Sequence, residues 1–328
     1  MIASTEQVSS RGERMSNIES PYVLVVGAGA IGALFGSALA RQGARVAVVC
    51  RSDYAVVKRD GYDIRSPLLG NHRFRPHEVF NDASQCTVAP DYVILTSKVL
   101  PGLDRVALLR PAIHPHTVIL LIQNGIDIED EIARAFPDNE LLSSLAFIAI
   151  ERGEPAMVNH KSSGSLTMGR YPSGITPASQ RLAALFEASS VGCTLTDDVV
   201  GARWQKAVWN TTFNPLSTLG GVLDTGQMLR TEEDQAFVRQ LMQEVCDIAA
   251  ADGHPQPPAL IPSMLTATRA MPAYKTSMAQ DYENGRPMEI EAILGNVVRT
   301  ARKLGTSAPG LESVYAIAKM IEAARARD

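Results

Sequence analysis

From Tyr22 to Ile150 the chain alternates short apolar runs with segments of helical period. The runs are Val23–Val26, "ARVAVVC" after Gly43, "DYVILTS" at Asp91–Ser97, "TVILLI" at Thr117–Ile122 and "SSLAFIAI" at Ser143–Ile150. Such unbroken aliphatic stretches suit parallel strands covered on both faces, and the helical patterns between several of them make a succession of β-α-β units. "GSLTMGRY" and "GCTLTDD" are weaker patterns, read as antiparallel additions at the sheet edge. After Asp197 the texture changes: as far as Ala324 the period is almost wholly helical, broken at "HPQPP", "MPAY" and "TSAPG". The pattern predicts an α/β domain over residues 21–197 and an all-helical domain over residues 198–328. Residues 1–20 are polar and aperiodic and read as a flexible leader, with Met15 an alternative start.

Charge and cysteine usage narrow the function classes. A formal net charge of −4 over 328 residues leaves no electrostatic footprint for nucleic acid or anionic lipid. Cys50, Cys86, Cys193 and Cys246 are scattered without a CxxC pair, and the six histidines are equally dispersed, so no metal site is expected. Scattered thiols fit a reducing compartment, and the expected location is the cytoplasm. The uncharged stretch Tyr22–Ala40 is long enough for a membrane anchor, but its glycines follow a dinucleotide-binding spacing, and no membrane association is expected. The oligomeric state is left open, with a homodimer as one option.

That spacing is Gly27-Ala28-Gly29-Ala30-Ile31-Gly32, placed directly after a strand and at the opening of a helix. The first glycine permits a tight turn, the second lets backbone approach a pyrophosphate, and the third allows close helix–strand packing. The N-terminal domain is therefore read as a Rossmann-type dinucleotide-binding domain. Where an NAD enzyme carries an acidic residue at the end of its second strand, this chain has Arg51, whose guanidinium suits the 2′-phosphate of NADP(H). A solvated arginine is the alternative there. Two further strand-to-helix loops carry Lys98 ("TSKVLP") and Asn124 ("IQNGID"), for which a solvated lysine and an ordinary Asn-Gly turn are the alternatives.

The opening helix of the second half, "WQKAVWNTTFNP", places Lys206, Asn210 and Asn214 four residues apart on nearly one face. Asparagine is a poor helix former, so an ammonium and two amides in a row suit either a surface stripe or a wall presented to a small, oxygen-rich molecule. Downstream, Ser277 and Glu289 each fall near a helix beginning, where an N-cap serine and a dipole-facing glutamate are the alternatives to a functional role.

Taken together, GAGAIG, Arg51, the lysine of "TSKV", "QNG", "KAVWNTTFN", "SMAQD" and "GRPMEIEAILG" resemble, in order and spacing, the ketopantoate reductases (2-dehydropantoate 2-reductases). These belong to the 6-phosphogluconate-dehydrogenase-like two-domain group, and the resemblance runs from about Tyr22 to the last helix. It implies NADPH-dependent reduction of a 2-keto acid, ketopantoate to pantoate, in pantothenate synthesis. By that resemblance Lys206 is the general acid and Glu289 assists it. Asn124, Asn210, Asn214 and Ser277 hold the substrate or lie near the nicotinamide ribose, and Lys98 is a cofactor-side lysine. The glycine loop, Arg51, Lys98, Asn124 and Glu289 together form the implied cofactor site. Leu294, Tyr274 and Gly310 depart from the common family pattern and leave the exact 2-keto acid open, because the family includes enzymes of bulkier acids and NAD-using mandelate-type dehydrogenases. The alternatives are thus a dehydrogenase of a bulkier 2-hydroxy acid and, from another class, a non-catalytic NADP-binding sensor.

Overall fold

A strand that feeds two cores must be apolar on both faces, and the first strand shows how the sequence meets this demand. In β1 (Tyr22–Val26) every residue is buried. Val23 and Val25 enter one hydrophobic cluster, while Tyr22, Leu24 and Val26 enter another on the opposite side. The computed structural model describes residues 20–325. Beyond β1 the strands are β2 (Arg45–Val49), β3 (Tyr62–Arg65), β4 (His72–Phe74), β5 (Glu78–Phe80), β6 (Tyr92–Leu95), β7 (Val118–Ile122), β8 (Leu141–Arg152), β9 (Met157–Arg170) and β10 (Cys193–Leu195). They form one sheet in the order β4-β3-β9-β8-β7-β6-β1-β2-β5, with β10 beside β9. The run from β8 through β7, β6, β1 and β2 to β5 is parallel throughout, as its aliphatic character requires.

Three corrections to the sequence reading arise at the sheet. The long β8–β9 hairpin is antiparallel, but β9 lies inside the sheet, between β8 and β3, and not at its edge. Its sequence, MVNHKSSGSLTMGR, is polar at many alternate positions because one face of it stays accessible, so no unbroken apolar run marks it. The short strands β3, β4 and β5 were not anticipated, since three or four residues are too few to show a period. The β10 strand pairs with β9 in parallel.

Helix Ala30–Ala40 covers one face of the sheet together with helix Pro177–Ala188, their Phe35 and Phe186 rings meeting edge to face at 5.9 Å. The stretch Tyr22–Ala40 is thus a strand and a helix joined by a turn, and among the described residues no helix is long and apolar enough to cross a membrane. The leader expected over residues 1–20 lies, up to residue 19, outside the described residues.

After β10, Asp198 caps the 21-residue helix Val199–Leu219, its carboxylate accepting from Gly201 N–H at 2.8 Å. Helices Glu232–Ala251, Leu260–Ala270, Ser277–Glu283 and Pro309–Arg325 gather around it. The remaining segment opens with a π-turn at Glu291–Gly295 and continues as helix Asn296–Leu304. This half has its own core, in which Trp204, Val208 and Phe213 of the long helix meet Leu241, Val245, Leu294 and Val298. Wrapping a π-turn frees backbone carbonyls, and here they are taken up from outside: Ala292 O accepts from Ile126 N–H at 3.4 Å, and Ile293 O from Thr211 Oγ at 2.8 Å.

Candidate active site

The two halves enclose a cavity of about 660 Å³ whose wall includes Gly27, Gly29, Ala30, Ile31, Lys98, Asn124, Lys206, Asn210, Asn214, Ser277 and Glu289. Ala28, Gly32 and Arg51 are outside that lining. Ala28 is buried, and a side chain at Gly32 would run into Thr96 Oγ1 at 2.5 Å, so both serve the packing of the turn. Arg51 is exposed just beyond β2.

At one end the cavity is bounded by backbone. Gly27 has φ +82°, and a Cβ there would lie 2.7 Å from Ser97 N, so the turn admits only glycine. At Gly29 the nearest atom to a would-be Cβ is 3.9 Å away, which leaves the backbone open to an approaching group. Gly29 is also the N-cap of helix Ala30–Ala40 and offers no side chain to the N–H groups of the first turn. Uncapped N–H groups at the positive end of a helix, reached across a bare glycine, fit a dinucleotide pyrophosphate. Arg152, from the far end of β8, also lines this region and was not singled out from the sequence. It donates to Ser52 Oγ at 2.9 Å and pairs with Asp53.

At the other end the wall is made of side chains. Lys206 Nζ donates to Asn124 Oδ1 at 2.9 Å and to Ala146 O at 2.7 Å, and lies 5.4 Å from the centre of the Phe147 ring. Asn210 Nδ2 approaches the same Asn124 oxygen at 3.5 Å. One turn further, Asn214 Oδ1 accepts from Ser277 Oγ at 3.2 Å and from Met278 N–H at 3.3 Å. The helix there is capped by Thr276 and not by Ser277, which leaves the Ser277 hydroxyl on the cavity wall. Glu289, just before the π-turn, accepts from Val99 N–H at 2.9 Å. Lys98 is partly exposed, but its ammonium pairs with Asp281 at 2.5 Å and donates to Pro287 O at 3.0 Å, joining the glycine-loop side of the cavity to the helical half.

Burial sets the electrostatics here. It brings the Lys206 ammonium down to about 7, with the Arg203 cation adding to the effect and Glu289 opposing it. It pushes the Glu289 carboxyl up to about 7, against the pull of the Val99 N–H and Lys98. Both groups can therefore gain or lose a proton near neutrality.

Beside this polar set the wall has an apolar patch. Trp209 stacks on Phe213 at 4.6 Å and on Tyr274 at 6.1 Å, and Met264 and Met271 line the cavity beside it. Of the three departures from the family pattern, only Tyr274 reaches this wall. Leu294 is fully buried in the helical core. Gly310 is tied to Glu244, donating its N–H to Oε1 at 3.0 Å, in a part of the helical half that the cavity does not reach. Among the described residues no cluster of His, Cys, Asp or Glu could hold a metal ion.

A dinucleotide-binding sheet joined to a helical half, with a lysine able to exchange a proton in the cavity between them, describes a nicotinamide-dependent oxidoreductase. The family models of the ketopantoate reductase PanE/ApbA and of its C-terminal part match residues 23–173 and 198–322. The chain belongs to the ketopantoate reductase family, whose cofactor is NADP(H). It is 30% identical to a 2-dehydropantoate 2-reductase of Nostoc sp. over 91% of this chain and 94% of that one. A crystal structure of 2-dehydropantoate 2-reductase from Methylococcus capsulatus superimposes with a TM-score of 0.88 at 49% identity, covering 93% of this chain and 97% of that one. D-mandelate dehydrogenase, solved with NADH and anilino(oxo)acetate, shares the fold at a TM-score of 0.84 and 22% identity, over 93% and 99% of the two chains.

Proposed function

We propose that this oxidoreductase reduces ketopantoate to pantoate with NADPH, and that Lys206 is the proton donor. The observation that carries the reading is the half-buried Lys206 ammonium, held by Asn124 and Ala146 O in the cavity that the glycine turn also lines. NADPH, when bound, supplies the hydride that the carbonyl carbon accepts. Lys206 gives its proton to the carbonyl oxygen as charge builds there, and a cation held at that point also polarises the carbonyl beforehand. The neutral amine left behind is accessible because burial has already weakened the hold on the proton. Asn210 and Ser277, on the wall, are suited to grip the substrate's carboxylate and hydroxyl; Asn214, whose amide is taken up by Asn210 O, Ser277 and Met278 N–H, is suited to hold Ser277 in place, and Glu289 to orient the lysine or the substrate. Gly27 to Gly32, Lys98 and Asn124 serve the cofactor, with Arg51 at the 2′-phosphate. Free thiols at Cys50, Cys86, Cys193 and Cys246 support a cytoplasmic setting.

One observation favours a second reading, the reduction of a bulkier 2-keto acid: the apolar wall of Trp209, Met264, Met271 and Tyr274 offers room and contact for a large side chain. Initial rates of NADPH oxidation with ketopantoate and with a panel of branched and aromatic 2-keto acids, each repeated with NADH, separate the two. The highest kcat/KM is expected for ketopantoate with NADPH. A higher value for an aromatic acid assigns the second reading, and tight NADPH binding without turnover of any member would leave a sensor.

A further inference from the structure

The proton donor's own surroundings point to a residue that no family motif marks. Arg203 stands one turn before Lys206 on the same helix and is 2% exposed. Its guanidinium crosses from the helical half into the sheet domain, where it pairs with the equally buried Glu129. Nε donates to Ser143 Oγ at 2.9 Å, and that hydroxyl donates to Glu129 Oε1 at 2.6 Å. Nη1 donates to Gln123 O at 2.9 Å and to Gly125 O at 3.0 Å, and Nη2 reaches Ser144 O at 3.4 Å.

Three of these contacts bear on Lys206. Gln123 and Gly125 flank Asn124, so one nitrogen of Arg203 holds the carbonyls on both sides of the residue that accepts from the ammonium. Ser144 lies two positions before Ala146 on β8, and Ala146 O is the ammonium's other acceptor. Behind the loop, Gly125 is pressed against the π-turn, where a Cβ would come within 2.6 Å of Ala292 O, so the loop has no room to retreat.

Stability alone is a weak reason for such a pair. Desolvating two charges offsets most of their attraction, and apolar residues of similar volume would bind the two halves at least as well. What apolar residues lack is direction: a planar five-donor fork fixes several acceptors at set angles. We propose that Arg203 is a positioning residue, which locks the Asn124 loop and β8 against the Lys206 helix and thereby fixes where the ammonium sits. The inference rests on Lys206 being the proton donor.

Arg203→Lys tests it, because a lysine keeps the charge but cannot serve Ser143, Ser144 and both loop carbonyls at once. Ser143→Ala is the milder companion, removing one contact of the fork, and it decides the matter if the lysine variant does not fold. For Arg203→Lys, kcat per NADPH-binding site is expected to fall by about 10- to 100-fold, the loss that slight misplacement of a reacting group causes. The NADPH dissociation constant, read by fluorescence titration, should stay within about twofold, since Arg203 touches none of the glycine turn. The solvent isotope effect on kcat should rise as proton delivery becomes the slow step, a change that mere loosening of the fold would not cause. Ser143→Ala should show the same pattern more weakly. Folded variants of both kinds with unchanged kcat and isotope effect would overturn the proposal. Lys206→Ala is measured alongside: if it retains its kcat, the proton-donor reading falls and this inference with it. If it loses kcat while both other variants do not, only the role of Arg203 is lost.

Discussion

At the glycine turn the cavity wall is backbone, and no side chain between Gly27 and Gly32 offers a charge or a polar atom. At the Lys206 end five separate pieces of chain meet: the long helix, the Asn124 loop, β8, the Ser277 helix and the Glu289 turn. The first end can be built by six consecutive residues because the groups proposed to bind there are amide N–H groups in a fixed local geometry. The second cannot, since an ammonium with a lowered pKa needs burial, which only distant parts of the chain supply. The two ends should therefore fail differently: damage at the turn should be read in cofactor affinity, and damage at the lysine in turnover.

The largest effect is expected at the lysine. Lys206→Ala should lower kcat by about 10²- to 10⁴-fold, the usual contribution of a positioned acid, with the NADPH dissociation constant nearly intact. An equal loss of cofactor affinity would move Lys206 to the other end of the comparison. The wild-type pH profile sharpens the same point. As the proposed proton donor, Lys206 must be charged, a form present below its lowered pKa of about 7 and lost above it, so the rate should fall as pH rises through neutrality. Glu289, raised to about 7, titrates in the same range, so the limb carries an apparent value belonging to the pair. A rate that holds steady up to pH 9 would contradict this.

A smaller, opposite pattern is expected at the turn. Gly27→Ala forces a Cβ onto the Ser97 backbone at φ +82°, a strain of about 1–3 kcal/mol. NADPH affinity should drop by about 10- to 100-fold in a fluorescence titration, while kcat at saturating cofactor changes far less. Least severe is Arg51→Asp, which should shift preference from NADPH toward NADH by about tenfold through loss of one charge-assisted contact and gain of a repulsion. An unchanged ratio of kcat/KM values for the two cofactors would take Arg51 out of the cofactor site, and its position outside the cavity lining makes that comparison worth running.

Much of the fold was legible because its signals are local. The aliphatic runs at β1, β2, β6 and β7 name strands buried on both sides, and the helical period after Asp197 names the second half. The β9 strand was misplaced because its accessible face carries serines and a lysine, which hide a strand that the sheet interior nevertheless uses. In the site, the four-residue spacing of Lys206, Asn210 and Asn214 already put them on one helix face. Arg203 left a fainter trace, a charged residue beside Trp204 on an otherwise apolar turn, which periodicity alone cannot tell from a surface arginine.

What the sequence determined by itself was whatever depends on neighbours a few residues away: strand and helix periods, a turn that only glycine can make, and a row of polar groups one helical turn apart. The tertiary structure decided which charges meet and which are dry. Lys98 finds Asp281, Arg203 finds Glu129, and Leu294 turns into the core and not toward the cavity. Pairing and desolvation act through space between segments far apart along the chain, so no local pattern encodes them, and they set the chemistry that Lys206 can perform.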